Sequence, residues 1–203
     1  MPAPSPGIAY VFGYASLVAV PESLSIEGID FGPVPGRLRG YRRFWGAAMN
    51  NWEGGTAAKH FLDRESGERP RIRVVYLDIE PLGGSSINGV AIPADEERLA
   101  ALDAREINYG RVDVSAAFEP LTQADDLPAA TRVFTYVGLD AARERCRRGL
   151  AEGNAFVSGD YAAGIRRAFE QLAPGASAEF DRTTDPLPFP ERDLLRILPS
   201  EDA

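Results

Sequence analysis

The sequence predicts an α+β fold: a small mixed, barrel-like sheet with a few flanking helices. Three observations lead there. About six apolar runs of strand length are spread along the chain, whereas helical spacing is confined to three segments, all from Pro93 onward. Hydrophobic residues make up 44% of the 203 residues and aromatics 9%, enough apolar surface to offset the entropy of ordering the backbone. No linker divides the chain, so residues 1–203 read as one domain with extended, Pro-rich ends at about 1–7 and 185–203.

In chain order, Pro2, Pro4, Pro6 and Gly7 form an extended lead. Ile8 to Phe12 is an apolar run ending at Gly13, which fits a buried strand followed by a small-residue turn and a polar segment from Pro21 to Gly32. Val34 to Gly46 reads as one or two strands with a solvated basic side that includes Arg37, Arg39, Arg42 and Arg43. The composition of residues 47–71 is that of a long loop, functional or mobile. Strands are expected at Ile72 to Ile79 and Ile87 to Ile92. Pro93 to Arg105 predicts a helix, with Asp95, Glu96 and Glu97 in the first turn, where the macrodipole favours negative charge. Strands at Arg111 to Phe118 and Thr131 to Val137 flank an acidic loop around Asp125, Asp126 and Pro128. A basic helix spans Asp140 to Arg148, its arginines a solvated end, and a longer one spans Ser158 to Leu172, with Tyr161, Ile165, Phe169 and Leu172 on one face. The tail is extended, with a last turn at Arg192 to Ile197.

Composition limits function. Lys and Arg total 22 against 30 Asp and Glu, a net charge of −8, which argues against nucleic acid as a partner. Ile8 to Val20 is apolar but too short to span a bilayer, and no basic residue precedes it, so a soluble protein with no membrane partner is expected. Cys146 and His60 are the only cysteine and histidine. That leaves no intramolecular disulfide or Cys/His zinc site, and it fits a reducing cytoplasm.

Two features can carry chemistry. Leu99, Leu102 and Glu106 stand at i, i+3 and i+7, so a helix reaching Glu106 would aim its carboxylate along the apolar stripe; burial there would raise its pKa toward that of a general acid/base. If the helix stops at Arg105, Glu106 instead turns to solvent or pairs with Arg105 or Arg111. Secondly, the turn Tyr14, Ala15, Ser16 and Leu17 follows an abrupt strand end, and its N–H groups could hold a carboxylate or oxyanion; an ordinary strand-to-helix turn is the alternative. His60 reads as an incidental loop histidine, Trp45 and Trp52 as packing, and Cys146, despite nearby arginines, as a structural or surface thiol.

The segments VFGYASL (Val11 to Leu17), GRLRGYRRFWG (Gly36 to Gly46) and INGVAIPADEERLAALDAREINYGRVDV (Ile87 to Val114) resemble the gamma-glutamylcyclotransferase superfamily, in particular its ChaC-like and AIG2-like branches. The likeness runs from Ile8 to about Leu172, and the order and spacing of the motifs carry it. It implies the barrel-like fold and a cofactor-independent enzyme releasing 5-oxoproline from a small gamma-glutamyl amide or peptide. It also implies that Tyr14, Ala15, Ser16, Leu17 and Tyr161 bind substrate and that Glu106 moves the protons. Ala15 stands where the family pattern has Gly. The competing expectations are a non-catalytic binding module for a small carboxylate metabolite and a hydrolase or acyl transferase acting through Cys146 or Ser16.

Overall fold

The computed structural model describes residues 9–19, 32–54, 59–121, 127 and 131–198. The sheet is built on two long antiparallel strands, β2 (Val34–Asn50) and β4 (Arg73–Ala94), paired from Val34↔Ala91 to Asn50↔Arg73. Their register shifts between Arg39 and Tyr41, which face Ser86 and Pro81. The extra residues of β4 bulge there, and Gly40 and Gly84 take φ of 74° and 80°, left-handed values that favour glycine. The ribbon bends at this point. The two strands expected at Ile72 to Ile79 and Ile87 to Ile92 are therefore one interrupted strand.

β1 (Ala9–Gly13), buried throughout, pairs antiparallel with the second leg of β4, from Ala9↔Ala94 to Gly13↔Val90. On its other edge it runs parallel to β7 (Val133–Gly138), which pairs antiparallel with β5 (Tyr109–Asp113). β6 (Phe118–Pro120) flanks β2, and β8 (Ala155–Ser158) runs parallel to the start of β4 and to β9 (Glu191–Arg192). The main path is β5-β7-β1-β4-β2-β6, a mixed sheet curled into a half-barrel. A separate antiparallel pair joins β3 (His60–Asp63) to β10 (Leu194–Ile197). Four helices flank the sheet among the described residues: α1 (Glu96–Arg105), α2 (Asp140–Glu152), α3 (Gly159–Leu172) and α4 (Ala176–Thr183).

The sequence-based boundaries move for identifiable reasons. Pro93 still pairs with Tyr10, so the helix begins only at Glu96, capped by Asp95, whose Oδ1 accepts the Arg98 N–H at 2.8 Å. Residues 47–71 are not one loop, since Ala47–Asn50 end β2 and His60–Asp63 form β3. Buried Asn51 fastens this stretch, its Nδ2 donating to the Phe61 and Pro70 carbonyls, both at 2.9 Å. The strand expected at Arg111 to Phe118 is broken by a turn in which Ala117 and Phe118 both donate to Val114 O. α2 runs on to Glu152 and ends at Gly153, φ 66°. α4 was not anticipated; its buried side is only Ala176 and Phe180. The tail holds β9 and β10 rather than a turn. Ile8, the Pro2–Gly7 lead, most of Pro21–Gly32 and the loop around Asp125, Asp126 and Pro128 lie outside the described residues. No helix among the described residues is long and apolar enough to cross a membrane.

Candidate active site

The half-barrel leaves a seam. Among the described residues, the edge of β4 away from β2 carries β8 only at Arg73 and Val74 and β1 only from Val90 onward. Between them Leu77 faces the seam and side chains satisfy its backbone: Tyr109 Oη donates to Leu77 O at 2.8 Å, and Leu77 N–H donates to Tyr161 Oη at 3.4 Å. Asp78 closes the next step. Fully buried, it accepts the N–H groups of Ile79 and of Gly138 on β7, both at 2.7 Å, and pairs with Arg143 Nε at 2.7 Å. A Cβ at Gly138 would overlap this carboxylate. Tyr14 Oη donates to Tyr136 O on β7 at 2.8 Å. Aromatic side chains thus line the gap, with Tyr161 edge-on to Tyr76 (centroids 5.1 Å apart) and to Trp45 (6.3 Å).

Glu106 combines both expectations for it. α1 does stop at Arg105, and the carboxylate lies 3.2 Å from the Arg105 guanidinium. Yet the Glu106 N–H still bonds to Leu102 O at 2.8 Å, extending the last helical turn, and its side chain is only 17% exposed. Burial raises its pKa, against the lowering influence of Arg105 and Lys59. Its charge in turn raises the pKa of Tyr14, Tyr109 and Tyr161, secondary in each to burial, so the turn after β1, the start of β5 and α3 all lie within its field. Their hydroxyls stay protonated. The Tyr161 hydroxyl, having accepted from Leu77, keeps its proton for another acceptor; none takes it among the described residues.

The turn after β1 is compact. A Cβ at Gly13 would overlap Leu17, and Val18 N–H bonds to Ala15 O at 3.0 Å, opening a single-turn 3-10 helix at Ser16–Ala19 on which α3 packs. Tyr14 and Ala15 are buried in the apolar core, while Ser16 and Leu17 are half-buried. Tyr14 and Tyr161 thus lie within the field of the Glu106 carboxylate, and Ser16 and Leu17 follow Tyr14 in the turn, with no hydrogen bond to Glu106 among the described residues.

Lys59, Tyr76 and Tyr109 were missed in the sequence. Tyr109 had a local signal, three residues after Glu106, but Lys59 had none. Its ammonium sits 4.8 Å from the Tyr76 ring centroid, and burial lowers its pKa. His60 is a buried strand residue, not a loop histidine. The Arg71 and Arg73 guanidiniums lie 4.8 and 5.4 Å from the Trp52 ring centroid. Of the supposedly solvated arginines, Arg143 pairs with Asp78, and Arg145 donates to Ala48 O at 2.7 Å and Asn108 Oδ1 at 2.6 Å; only Arg147 and Arg148 are exposed, both pairing with Glu144. Cys146 is buried with its thiol toward Trp45 O, and burial pushes its pKa up to about 11. Alkylating reagents should therefore leave the folded protein unmodified, as mass spectrometry of the treated protein would read. No group of three His, Cys, Asp or Glu side chains among the described residues is arranged to hold a metal.

No family sequence model matches the chain, and no curated sequence matches it significantly. Solved structures do match in fold. A structure described as a gamma-glutamyl cyclotransferase superposes with TM-score 0.51 at 13% identity, over 87% of this chain and 88% of that one. The yeast gamma-glutamyl cyclotransferase specific to glutathione gives 0.51 at 14% identity, over 88% and 98%. YkqA from Bacillus subtilis gives 0.53 at 18% identity, over 90% of this chain but 56% of its own length.

Proposed function

We propose that this chain, which has the gamma-glutamyl cyclotransferase-like fold, releases 5-oxoproline from a small gamma-glutamyl amide or peptide, with Glu106 as the proton carrier. What supports the reading is a largely buried carboxylate of raised pKa, Glu106, whose charge acts on the Tyr14 and Tyr161 hydroxyls that line the seam. Such a substrate contains its own nucleophile. Glu106 takes a proton from the α-ammonium, the amine nitrogen bonds to the γ-carbonyl carbon, and an oxyanion develops that the amides of Ala15, Ser16 and Leu17 are suited to hold. Collapse breaks the original C–N bond as the protonated Glu106 returns its proton to the leaving nitrogen, and Glu106 then carries the second proton of the attacking nitrogen to the released amine, which departs as its ammonium. The products are the five-membered lactam and a free amine; no water is consumed. Folding the glutamyl chain so that amine meets carbonyl can supply up to about 7–11 kcal/mol of the barrier reduction. The tyrosine-lined seam fits that task, and Tyr161 has a proton to offer the substrate.

Ala15 in place of glycine does not count against this reading, because its methyl packs into the apolar core. A cysteine nucleophile is disfavoured by the buried, high-pKa Cys146 thiol. The test is incubation with gamma-glutamyl amino acids, peptides and amines, following 5-oxoproline. Release from at least one class is expected, and none from any would refute the proposal.

The electrostatics add a pH signature. Glu106 must be ionised to accept the first proton, so kcat/KM should rise with pH through its pKa. Lys59 lowers that pKa, and Lys59→Met should move the rising limb to higher pH. An unmoved limb would mean that the limb does not report Glu106.

A further inference from the structure

Arg43 is the largest fully buried side chain among the described residues. Its guanidinium donates only to neutral oxygens: Nη1 to Tyr14 O (2.8 Å) and Asn88 O (3.0 Å), Nη2 to Asn88 Oδ1 (2.8 Å) and Thr183 Oγ1 (2.9 Å), and Nε to Thr184 Oγ1 (2.8 Å). It lies over the Phe180 and Phe169 rings, 4.2 and 5.1 Å from their centroids. Glu179 and Asp181 act on it only through space, and among the described residues no carboxylate lies within ion-pair distance. Burial lowers its pKa to about 9, which leaves it charged at neutral pH. A desolvated cation without a counter-ion is costly, and an apolar side chain of similar volume would serve packing better. Something other than packing accounts for it.

Of its five hydrogen bonds, one reaches the Tyr14–Leu17 turn. Across a trans peptide the Ala15 N–H points opposite to the Tyr14 carbonyl. With that carbonyl drawn into the core by Arg43, the Ala15 amide is directed away from it, and it has no acceptor among the described residues. Hydrogen bonding to a cation also polarises the peptide unit and strengthens its N–H as a donor. We propose that Arg43 is a positioning residue, which fixes the Tyr14–Ala15 peptide and delivers its charge through it to the oxygen of the reacting γ-carbonyl. This rests on the reading of the turn as an oxyanion holder in 5-oxoproline release.

Two variants test it, each assayed for kcat, KM and thermal unfolding on a gamma-glutamyl substrate that the wild type turns over. Arg43→Gln keeps hydrogen-bonding capacity without charge. Asn88→Asp keeps Arg43 and its contact but sets a carboxylate against the guanidinium, cancelling its field without leaving a charge unpaired. Both should lower kcat by about tenfold or more, since removal of a whole oxyanion donor costs about 10²–10³, while KM changes by less than about threefold. A purely structural Arg43 predicts instead that Asn88→Asp, folded and stable, turns over like wild type; that result overturns the proposal even if Arg43→Gln fails to fold. Absence of 5-oxoproline from the wild type would strike the functional reading first, whereas unimpaired Asn88→Asp in an active enzyme strikes this inference alone.

Discussion

Glu106→Gln is expected to reduce 5-oxoproline release by about 10²- to 10⁴-fold, the range for loss of a positioned general acid/base. The substitution is nearly isosteric, so the 17% exposed side chain should keep its place, and a substrate or product should bind almost as before. The loss should fall on kcat. The same change has a second, independent signature in stability. Burial raises the Glu106 pKa in the folded state, so the folded protein binds this proton more tightly than the unfolded chain does. The stability linked to that proton is fully present below the unfolded-state pKa and is lost as pH rises through the folded-state value. Glu106→Gln should therefore match the wild type in acid and be the more stable of the two at neutral pH. Urea titrations at the two pH values would read this directly. A variant destabilised at neutral pH would mean that the Arg105 ion pair outweighs the desolvation.

Asp78→Ala is expected to be the most damaging single truncation near the site. The carboxylate is fully buried and joins β4 to β7 where no strand ladder does, through Gly138 N–H, Ile79 N–H and Arg143. Removing it leaves two buried donors unsatisfied and Arg143 without its carboxylate, still donating to Ile79 O. Loss of one member of a buried pair costs about 3–5 kcal/mol, and because Arg143 is 25% exposed the lower end, about 3 kcal/mol, is expected in denaturant unfolding. Asp78→Asn should cost less, since one amide oxygen can still accept the two N–H groups. Both variants should also weaken turnover, because the seam they loosen holds Tyr14, Tyr109 and Tyr161. A loss below about 1 kcal/mol for Asp78→Ala would show that the seam closes by packing alone.

Much of this site was legible in the sequence because its parts are local. The apolar run into Gly13, the small-residue turn, and Glu106 one position past a capped amphipathic helix all follow from spacing within a dozen residues. Arg43 was misplaced in the sequence, where it was grouped with the solvated arginines of Val34 to Gly46. Neighbouring residues in a strand face opposite sides, so Arg42 and Arg43 could not both be solvated; Arg43 is fully buried while Arg42 pairs with Glu80 and Asp185. The seam was not legible. Asp78 looks like any polar residue in an apolar strand until β7 and α2 are folded against it, and Lys59 comes within the field of Glu106 only through the tertiary fold. The continuity of β4 was hidden for a different reason, because the polar bulge between Pro81 and Ser86 has the composition of a loop although β2 pairs on both sides of it.

The central claim is that the substrate's own amine attacks its carbonyl, and turnover in ¹⁸O-labelled water tests it most directly. Intramolecular attack predicts 5-oxoproline with no solvent oxygen, one free amine per lactam, and no glutamate. Labelled glutamate as the first product would contradict it, because water rather than the α-amine would then be the nucleophile.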